Sequence, residues 1–270
     1  MAQVAVMAPD GQVEKIERDG NPAALTALRQ MAALMLKAAL QHEFDGIRLG
    51  AAVAEDDQFY VDSDKDDQQV SADQLDDLAA AMKQIAKDGL KVEFAEVDLD
   101  AALAEAGDDQ FTNELLKEHA HDGKVALYRL GDAAIVAEAP ILVYANVVKH
   151  YQLLSVAGAY WKGMSSNPML QRIYGTVFFN GDDLAADLKA RQEAKERDHR
   201  VIGNQLDLFF VDPKVGAGLP YWMPKGSTIR RTIERYIIDR EVSDDYEHVY
   251  TPVLMNLDAY KTSGHWQHYR

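Results

Sequence analysis

Apolar residues recur at helical spacing in the segment that follows residue 20. The repeating positions are Leu25, Leu28, Ala32, Met35, Leu36 and Leu40. This spacing predicts an amphipathic helix that buries one face. Asn21 and Pro22 stand immediately before it, where an N-cap side chain and a first-turn proline favour the start of a helix. The pattern therefore predicts a helix beginning at Pro22 and packed against a core.

Short strand signals and further helices surround this first helix. Residues 1–20 predict a β-hairpin with its turn at Pro9-Asp10-Gly11. Ser71 and Gln74 have capping-box spacing at the start of a second helix. The remaining predicted strands are 47–53, 58–61, 91–97, 124–130, 133–137, 151–159 and 172–179, and the predicted helices are 71–87, 98–105 and 113–119. Strands mixed with helices in this order indicate an α+β fold.

The last third of the chain has a different pattern. Residues 182–200 predict one charged helix, which we interpret as a linker between two domains. A strand at 206–211, a loop rich in proline and glycine, a helix at 226–240 and a strand at 248–252 follow. The helix at 226–240 has Ile229, Ile233 and Ile237 at i, i+4 and i+8, which places them in one apolar stripe.

Composition and charge narrow the possible functions. Hydrophobic residues make up 47% of the 270 positions, enough for proper cores, and no run of about 18 uncharged apolar residues predicts a membrane span. The absence of cysteine excludes disulfides, thiolate zinc sites and cysteine nucleophiles. We therefore expect a cytoplasmic protein with no membrane contact.

The net charge of −16 is unevenly distributed. Residues 1–144 contain 12 basic and 29 acidic side chains, a net charge of −17, whereas residues 145–270 contain 16 basic and 15 acidic ones. Phosphate backbones bind cationic surface. Any contact with a tRNA is therefore predicted in the second half, and we expect no DNA partner.

Specific motifs in that second half carry a family resemblance. The run from Leu153 to Phe179, LLSVAGAYWKGMSSNPMLQRIYGTVFF, resembles the last strands of the editing domain in bacterial-type threonyl-tRNA synthetases. The resemblance continues in five further motifs: Arg197-Asp198-His199-Arg200, Leu206-Asp207-Leu208-Phe209-Phe210, Trp222-Met223-Pro224-Lys225-Gly226, Tyr250-Thr251-Pro252 and Thr262-Ser263-Gly264-His265-Trp266. The last of these is similar to the opening of that family's class II catalytic domain.

The resemblance implies a fold and a domain order. Residues 1–20 would be a hairpin remnant of a ubiquitin-like domain, 21–180 an editing-like domain shared with alanyl-tRNA synthetases, and 181–200 a linker helix. Residues 201–270 would be a partial class II catalytic domain that includes the first class II motif. The family joins threonine to tRNA(Thr) using ATP, with Mg and Zn, and the resemblance places those binding residues beyond Arg270. We therefore expect no cofactor and no catalytic residue in this chain, as in a truncated or degenerate synthetase.

The editing site of the family is expected to be lost. Its metal ligands are two histidines on the first helix and a later Cys-x-x-x-His. The resemblance places these four ligands on Gln30, Leu34, Ala137 and Ile141, none of which supplies an imidazole or a thiolate. A lysine of the family's editing pocket falls on Thr112. We expect no metal site and no editing activity.

Two surfaces are predicted to mediate binding. The basic residues Lys162, Arg172, Arg197 and Arg200 are the candidate tRNA contacts. The candidate dimer interface, placed by the first class II motif, consists of Ile229, Ile233, Ile237, Tyr250 and Pro252. The expected partners are a second copy of the chain, a tRNA or a full-length synthetase.

Two other functions remain open. The chain could be a binding or regulatory protein that uses the first class II motif, or a free-standing, metal-independent deacylase of mischarged tRNA. Only Tyr60, Gln30 and Glu138 are polar candidates for the second function. We interpret three weak metal patterns as surface or structural features instead: the acidic run Asp62–Asp73, the pair His119 and His121, and the pair His265 and His268.

Overall fold

The computed structural model describes residues 2–64, 69–216, 218–252 and 254–268. The chain divides into two compact units, Met1–Ala190 and Arg191–Arg270, which we call unit 1 and unit 2. The described residues form a mixed α/β protein with several small antiparallel sheets. The α+β expectation is confirmed at this level.

Unit 1 contains most of the secondary structure. Its strands are β1 Gln3–Met7, β2 Val13–Glu17, β3 Leu49–Ala54, β4 Phe59–Ser63, β5 Glu93–Asp98, β6 Lys124–Leu130, β7 Ala133–Val136, β8 Ile141–Leu142, β9 His150–Tyr160 and β10 Met169–Phe178. Its helices are α1 Pro22–Glu43, α2 Leu75–Asp88, α3 Leu99–Ala106 and α4 Gln110–Glu118, and the division between the units falls within α5, Gly181–Glu196. The strands pair in the orders β2-β1-β8, β3-β4-β10-β9 and β5-β6-β7, always antiparallel.

The helix α1 is the centre of the hydrophobic core of unit 1. Its N-cap is Asn21, whose side chain accepts a hydrogen bond from the backbone N–H of Ala23 at 3.0 Å. Fourteen of its 22 residues are buried, and they pack with apolar residues from all three sheets or their flanks. By length and apolarity alone α1 could cross a membrane, but this burial is what a core helix requires.

The predicted N-terminal hairpin is present. Its strands β1 and β2 pair in register, and Gly11 in the turn has a φ of +80°, a conformation that glycine adopts without strain. The strand β1 also pairs with β8, where Val6 lies opposite Leu142. The hairpin is therefore part of a three-stranded sheet of unit 1. Its origin as a ubiquitin-like remnant stays a prediction.

The expected single helix at 181–200 is wrong, because the structure has two helices there. The helix α5 ends at Glu196, and α6 spans His199–Gln205. Asp198 lies between them in an extended conformation, and its carboxylate accepts a hydrogen bond from the backbone N–H of Arg200 at 2.7 Å. An aspartate that caps a new helix competes with continuing the old one.

Unit 2 is short of buried surface. It contains α6, β11 Phe209–Val211, β12 Pro220–Trp222, α7 Pro224–Ser243, α8 Leu257–Thr262 and α9 His265–His268. Among its described residues, Gly203 and Gly226 are the buried ones. At Gly226 a Cβ atom would lie 2.0 Å from the carbonyl oxygen of Leu208, so the start of α7 packs directly on backbone. Unit 2 thus has no enclosed hydrophobic core within its described residues.

The predicted strand at 248–252 is absent. Residues 247–252 are irregular, and the side chain of Tyr250 is 99% exposed. An extended segment becomes a strand only when a neighbouring strand satisfies its backbone hydrogen bonds. The two-stranded sheet of unit 2 consists of β11 and β12, and residues 248–252 pair with neither.

Candidate functional site

A cavity of about 560 Å³ lies within unit 1. Its walls come from α1, β3, the α3–α4 region and the β6–β7 hairpin. A cavity of this volume can enclose a small ligand. Its polar lining residues are Gln30, Lys37, Gln41, Arg48, Glu105, Asp108, Asp109, Thr112, His119, Arg129, Asp132 and Glu138.

One row of α1 supplies three of these polar side chains. Gln30, Lys37 and Gln41 stand at i, i+7 and i+11, and at 100° per residue they fall within about 40° of one another around the helix. Gln30 and Lys37 are buried and Gln41 is exposed. The row therefore runs from the interior of unit 1 to its surface along the cavity wall.

Lys37 is the most unusual residue in the cavity. Its relative exposure is 5%, and within the described part of the chain its ammonium has no hydrogen-bond or ion-pair partner. Burial lowers the pKa of Lys37 to about 8, and the charge of Asp109 opposes that shift only in part. A buried and unpaired ammonium is costly, so it marks a candidate site. Sequence reasoning missed Lys37, although the polar row on an otherwise apolar helix was the available signal.

Asp109 fixes the opposite wall of the cavity. As the N-cap of α4 it accepts hydrogen bonds from the backbone N–H groups of Phe111 and Thr112 at 3.1 and 3.3 Å. Its second oxygen accepts from the N–H of Leu49 at 3.1 Å and from the Thr112 hydroxyl at 2.8 Å. This carboxylate joins β3 to α4 and holds the wall near Lys37 rigid.

The four residues on which the resemblance places the family's metal ligands do not fit a metal. Leu34 and Ile141 are fully buried and Ala137 is 8% exposed, all within the hydrophobic core. Gln30 uses both ends of its amide on β3, donating to the Ala52 carbonyl and accepting from the Ala54 N–H, each at 3.2 Å. Aliphatic groups cannot ligate a metal, and an amide held by a strand edge is not free to do so.

The three candidate deacylase residues are only partly brought together. Gln30 and Glu138 line the cavity, but Tyr60 is not among its lining residues. Tyr60 stacks instead against the Arg172 guanidinium, 3.7 Å from its ring centroid. Glu138 pairs with His119 at 2.6 Å at the exposed edge of the cavity. This arrangement contains no nucleophile activated by a neighbouring base.

Two of the four predicted tRNA contacts lie in unit 1 and are already paired. Arg172 donates to both carboxylate oxygens of Asp62 at 2.7 and 2.9 Å, and Asp62 is 1% exposed. Burial raises the pKa of the Asp62 carboxyl, and the hydrogen bonds from Arg172 oppose that rise. Lys162 pairs with Glu114 and Glu118. Arg172 is therefore a structural residue of the β4–β10 pair.

The other two predicted tRNA contacts lie in unit 2 and are exposed. The side chains of Arg197 and Arg200 each have 76% of their surface exposed, and they pair with Glu193 and Asp198 respectively. Hydrogen bonds from Arg200 lower the pKa of the Asp198 carboxyl. Exposed ion pairs of this kind are weak and can exchange partners.

The predicted dimer residues are all exposed. Ile229, Ile233 and Ile237 lie on α7 with 49%, 57% and 46% of their surface exposed. Tyr250 and Pro252 are exposed in the irregular segment that follows. The helix α7 thus presents an apolar stripe that no described residue covers.

The weak metal patterns do not form a site among the described residues. No group of three or more potential ligands converges in this part of the chain. Asp62 and Asp64, at the start of the acidic run, are buried and pair with Arg172 and Arg48. Residues 65–68 of that run lie outside the described residues. His265 contacts Ser263, and the side chain of His268 is outside the description.

The protein is thus of mixed α/β class, and its larger unit contains a ligand-sized cavity in which the described residues supply no metal-ligand set. No protein-family model matches the chain. Comparison with curated proteins, however, finds threonine--tRNA ligases. That of Levilactobacillus brevis is 60% identical over 98% of this chain, that of Lactobacillus helveticus 57% over 91%, and that of Pediococcus pentosaceus 54% over 96%.

The chain is therefore a homologue of threonine--tRNA ligases over nearly all of its length, and the resemblance to that family is confirmed. It spans about 40% of the length of the curated relatives that it matches.

Proposed function

We propose that the chain acts as part of a threonine--tRNA ligase. In this proposal residues 21–180 have the editing-domain fold of the family, and residues 201–270 form part of its class II catalytic domain. Homology to threonine--tRNA ligases over nearly all of this chain and the motif series from Leu153 to Trp266 support it. The proposal also includes a cytoplasmic location, where tRNA charging takes place.

The cavity of unit 1 does not perform metal-dependent editing in this proposal. The observation that carries this conclusion is the set of residues at the four ligand positions. Three are aliphatic and buried in the core, and the fourth, Gln30, is held by the backbone of β3. A zinc site needs about four nitrogen, sulfur or oxygen donors in tetrahedral reach. Metal-activated water cannot be produced there.

We expect the purified 270-residue chain to be inactive in both reactions of the family. Hydrolysis of Ser-tRNA(Thr) should stay at the no-enzyme rate, with or without added zinc, because the cavity has no metal ligands. Threonine-dependent ATP–pyrophosphate exchange should also be at background. The described part of unit 2 buries only Gly203 and Gly226, so it cannot enclose and align a nucleotide.

Radiolabelled Ser-tRNA(Thr) and pyrophosphate measure these two rates directly. A complete threonyl-tRNA synthetase assayed in parallel is the positive control. Zinc-dependent deacylation, or stoichiometric zinc in the dialysed protein, would contradict the proposed loss of editing. Exchange above the control rate would contradict the assignment of unit 2.

We also propose that α7 forms a homodimer interface. Its apolar stripe is uncovered among the described residues, and each large apolar side chain left in water costs roughly 1.5–3 kcal/mol. A two-fold contact lets the same stripe cover itself and closes the assembly. A partner protein that covers this stripe is the alternative, and it corresponds to the binding or regulatory function.

Sedimentation at micromolar concentration should show a dimer. Replacing Ile233 by aspartate should raise the dimer dissociation constant by at least about tenfold, because it buries a carboxylate in an apolar contact. The control is Thr228→Asp on another face of α7, which should leave the dimer unchanged. A monomeric wild-type chain, or an equal effect of the two substitutions, would refute this interface.

Contacts with tRNA are proposed for the exposed cations. Arg197 and Arg200 remain the stronger candidates, because 76% of each arginine side chain is exposed and such groups can exchange a carboxylate partner for a phosphate. Lys162 and Arg172 pair with carboxylates in unit 1, and Arg172 is anchored by a buried one. The proposed tRNA surface is therefore centred on the segment around α6.

A further inference from the structure

Lys37 is not explained by anything in the proposed function. The loss of the metal site accounts for Gln30, Leu34, Ala137 and Ile141, but it does not require a lysine on the cavity wall. A lysine whose relative exposure is 5%, and whose ammonium is unpaired in the described structure, loses much of its hydration without a compensating contact. Such a group is retained at a cost to stability, and a ligand that completes its contacts is the direct reason to retain it.

The other cations of the cavity wall already have partners. Arg48 pairs with Asp64, and Arg129 makes a two-pronged contact with Glu105. Asp109, the carboxylate that acts electrostatically on Lys37, is itself held by three N–H groups and a hydroxyl. Among the described residues that line the cavity, Lys37 is therefore the cation whose hydrogen-bond donors are free.

We propose that the cavity beside α1 binds a small carboxylate, whose oxygens accept hydrogen bonds from the Lys37 ammonium. A single unpaired cation matches a single negative charge. A carboxylate carries that charge on two oxygens. Both oxygens can accept hydrogen bonds from the three N–H donors of the ammonium. The buried position of Lys37 places the carboxylate at the inner end of the cavity.

The outer part of the cavity selects against more highly charged anions. Asp108 and Asp132 line it and are exposed, and Glu138 adds a third acid beside His119. These acids repel a phosphate dianion and favour a ligand with a positive group at its outer end. An amino acid has both features, so free threonine and serine are natural probes. That choice of probes rests on the proposed function, whereas the carboxylate site does not.

Binding should be coupled to protonation of Lys37. A carboxylate stabilises the charged ammonium, so the bound protein holds the proton more tightly than the free one. Affinity should be constant between about pH 6 and pH 8, where the ligand carboxylate and, in the free protein, Lys37 are both charged. Above pH 8 it should fall by about tenfold per pH unit until the pKa of the complex is reached.

The test is a titration of the 270-residue chain at pH 7 with acetate, L-threonine, L-serine and inorganic phosphate, followed by NMR of the lysine side chains. We expect the carboxylates to bind and to shift the Lys37 signals, with L-threonine or L-serine binding more tightly than phosphate. Lys37→Met should weaken carboxylate binding by at least about tenfold. Lys83→Met, at an exposed lysine of α2, should leave it unchanged.

Each other outcome overturns the proposal. Equal binding by wild-type protein and Lys37→Met would remove Lys37 from the site, and a preference for phosphate would overturn the carboxylate assignment. No binding of any carboxylate at millimolar concentration would show that the cavity is not this site. Weaker binding by Lys37→Met cannot be attributed to misfolding, because methionine suits the buried position better than lysine does. Zinc binding or deacylation would refute the proposed function and leave this carboxylate test standing.

Discussion

Replacing Arg172 by alanine should lower the free energy of unfolding of unit 1 by about 3–5 kcal/mol. The reason is the carboxylate that it leaves behind. Asp62 is 1% exposed, and both of its oxygens accept hydrogen bonds from the Arg172 guanidinium. Breaking a buried pair by removing one partner leaves the other charge desolvated without compensation. Amide hydrogen exchange in β4 and β10 measures the loss.

Two controls isolate the buried pair. Arg197→Ala removes an arginine whose side chain is 76% exposed, and it should change stability by no more than about 0.5 kcal/mol. The double variant Asp62→Leu with Arg172→Met should recover most of the stability lost in Arg172→Ala, because it removes both charges. Equal effects of Arg172→Ala and Arg197→Ala would show that the pair is not desolvated. A substitution that reverses the charge of Arg172 would also destabilise unit 1. A tRNA-binding assay of that variant would therefore measure the loss of stability together with any lost phosphate contact.

Lys37→Met should have the opposite effect and stabilise unit 1 at pH 7. Burial lowers the pKa of Lys37 from its ordinary 10.5 to about 8, and each pKa unit corresponds to about 1.4 kcal/mol. The charged lysine therefore costs the folded state on the order of 3 kcal/mol. Methionine removes that cost and keeps a flexible side chain of similar length.

The difference in free energy of unfolding between wild type and Lys37→Met should depend on pH. Between about pH 8 and pH 10.5 the unfolded chain holds a proton on Lys37 that the folded chain has released. Stability of the wild-type protein should therefore rise across this window relative to Lys37→Met. The extra free energy of unfolding of the variant should be largest below pH 8 and nearly zero at pH 10.5. Chemical denaturation at several pH values measures it, with Lys83→Met as the matched control. A constant difference between wild type and variant would contradict the lowered pKa.

Local sequence signals determined several elements well. The predicted capping box of Ser71 and Gln74 is confirmed at the 3-10 helix Ala72–Gln74 that leads into α2, since the Gln74 side chain accepts from the Ser71 backbone N–H at 2.9 Å. Helix α1 begins at Pro22 and the hairpin of residues 124–136 is present, both as the patterns predict. These features depend on residues within one or two turns of each other, so the local sequence contains the information.

Features that depend on distant partners could not be predicted in this way. The spacing of Ile229, Ile233 and Ile237 is helical and the helix is present. Residues 248–252, in contrast, form no strand, because no described strand pairs with them. Likewise Arg172 was interpreted as a surface cation, because its partner Asp62 lies 110 residues earlier in the chain. Only the pairing of β4 with β10 brings the two together.

The sequence by itself determined the mixed α and β character and the resemblance to threonine--tRNA ligases. It also determined which residue types stand where that resemblance places the metal ligands, since these features depend on residue type and local spacing. The tertiary structure alone decided the burial of Lys37. A lysine on an apolar helix can reach solvent or be enclosed, and the choice depends on how α1 packs against β3, α4 and the β6–β7 hairpin. That packing desolvates its ammonium and places it on a cavity wall, and desolvation is a property of the assembled surroundings that no short segment contains.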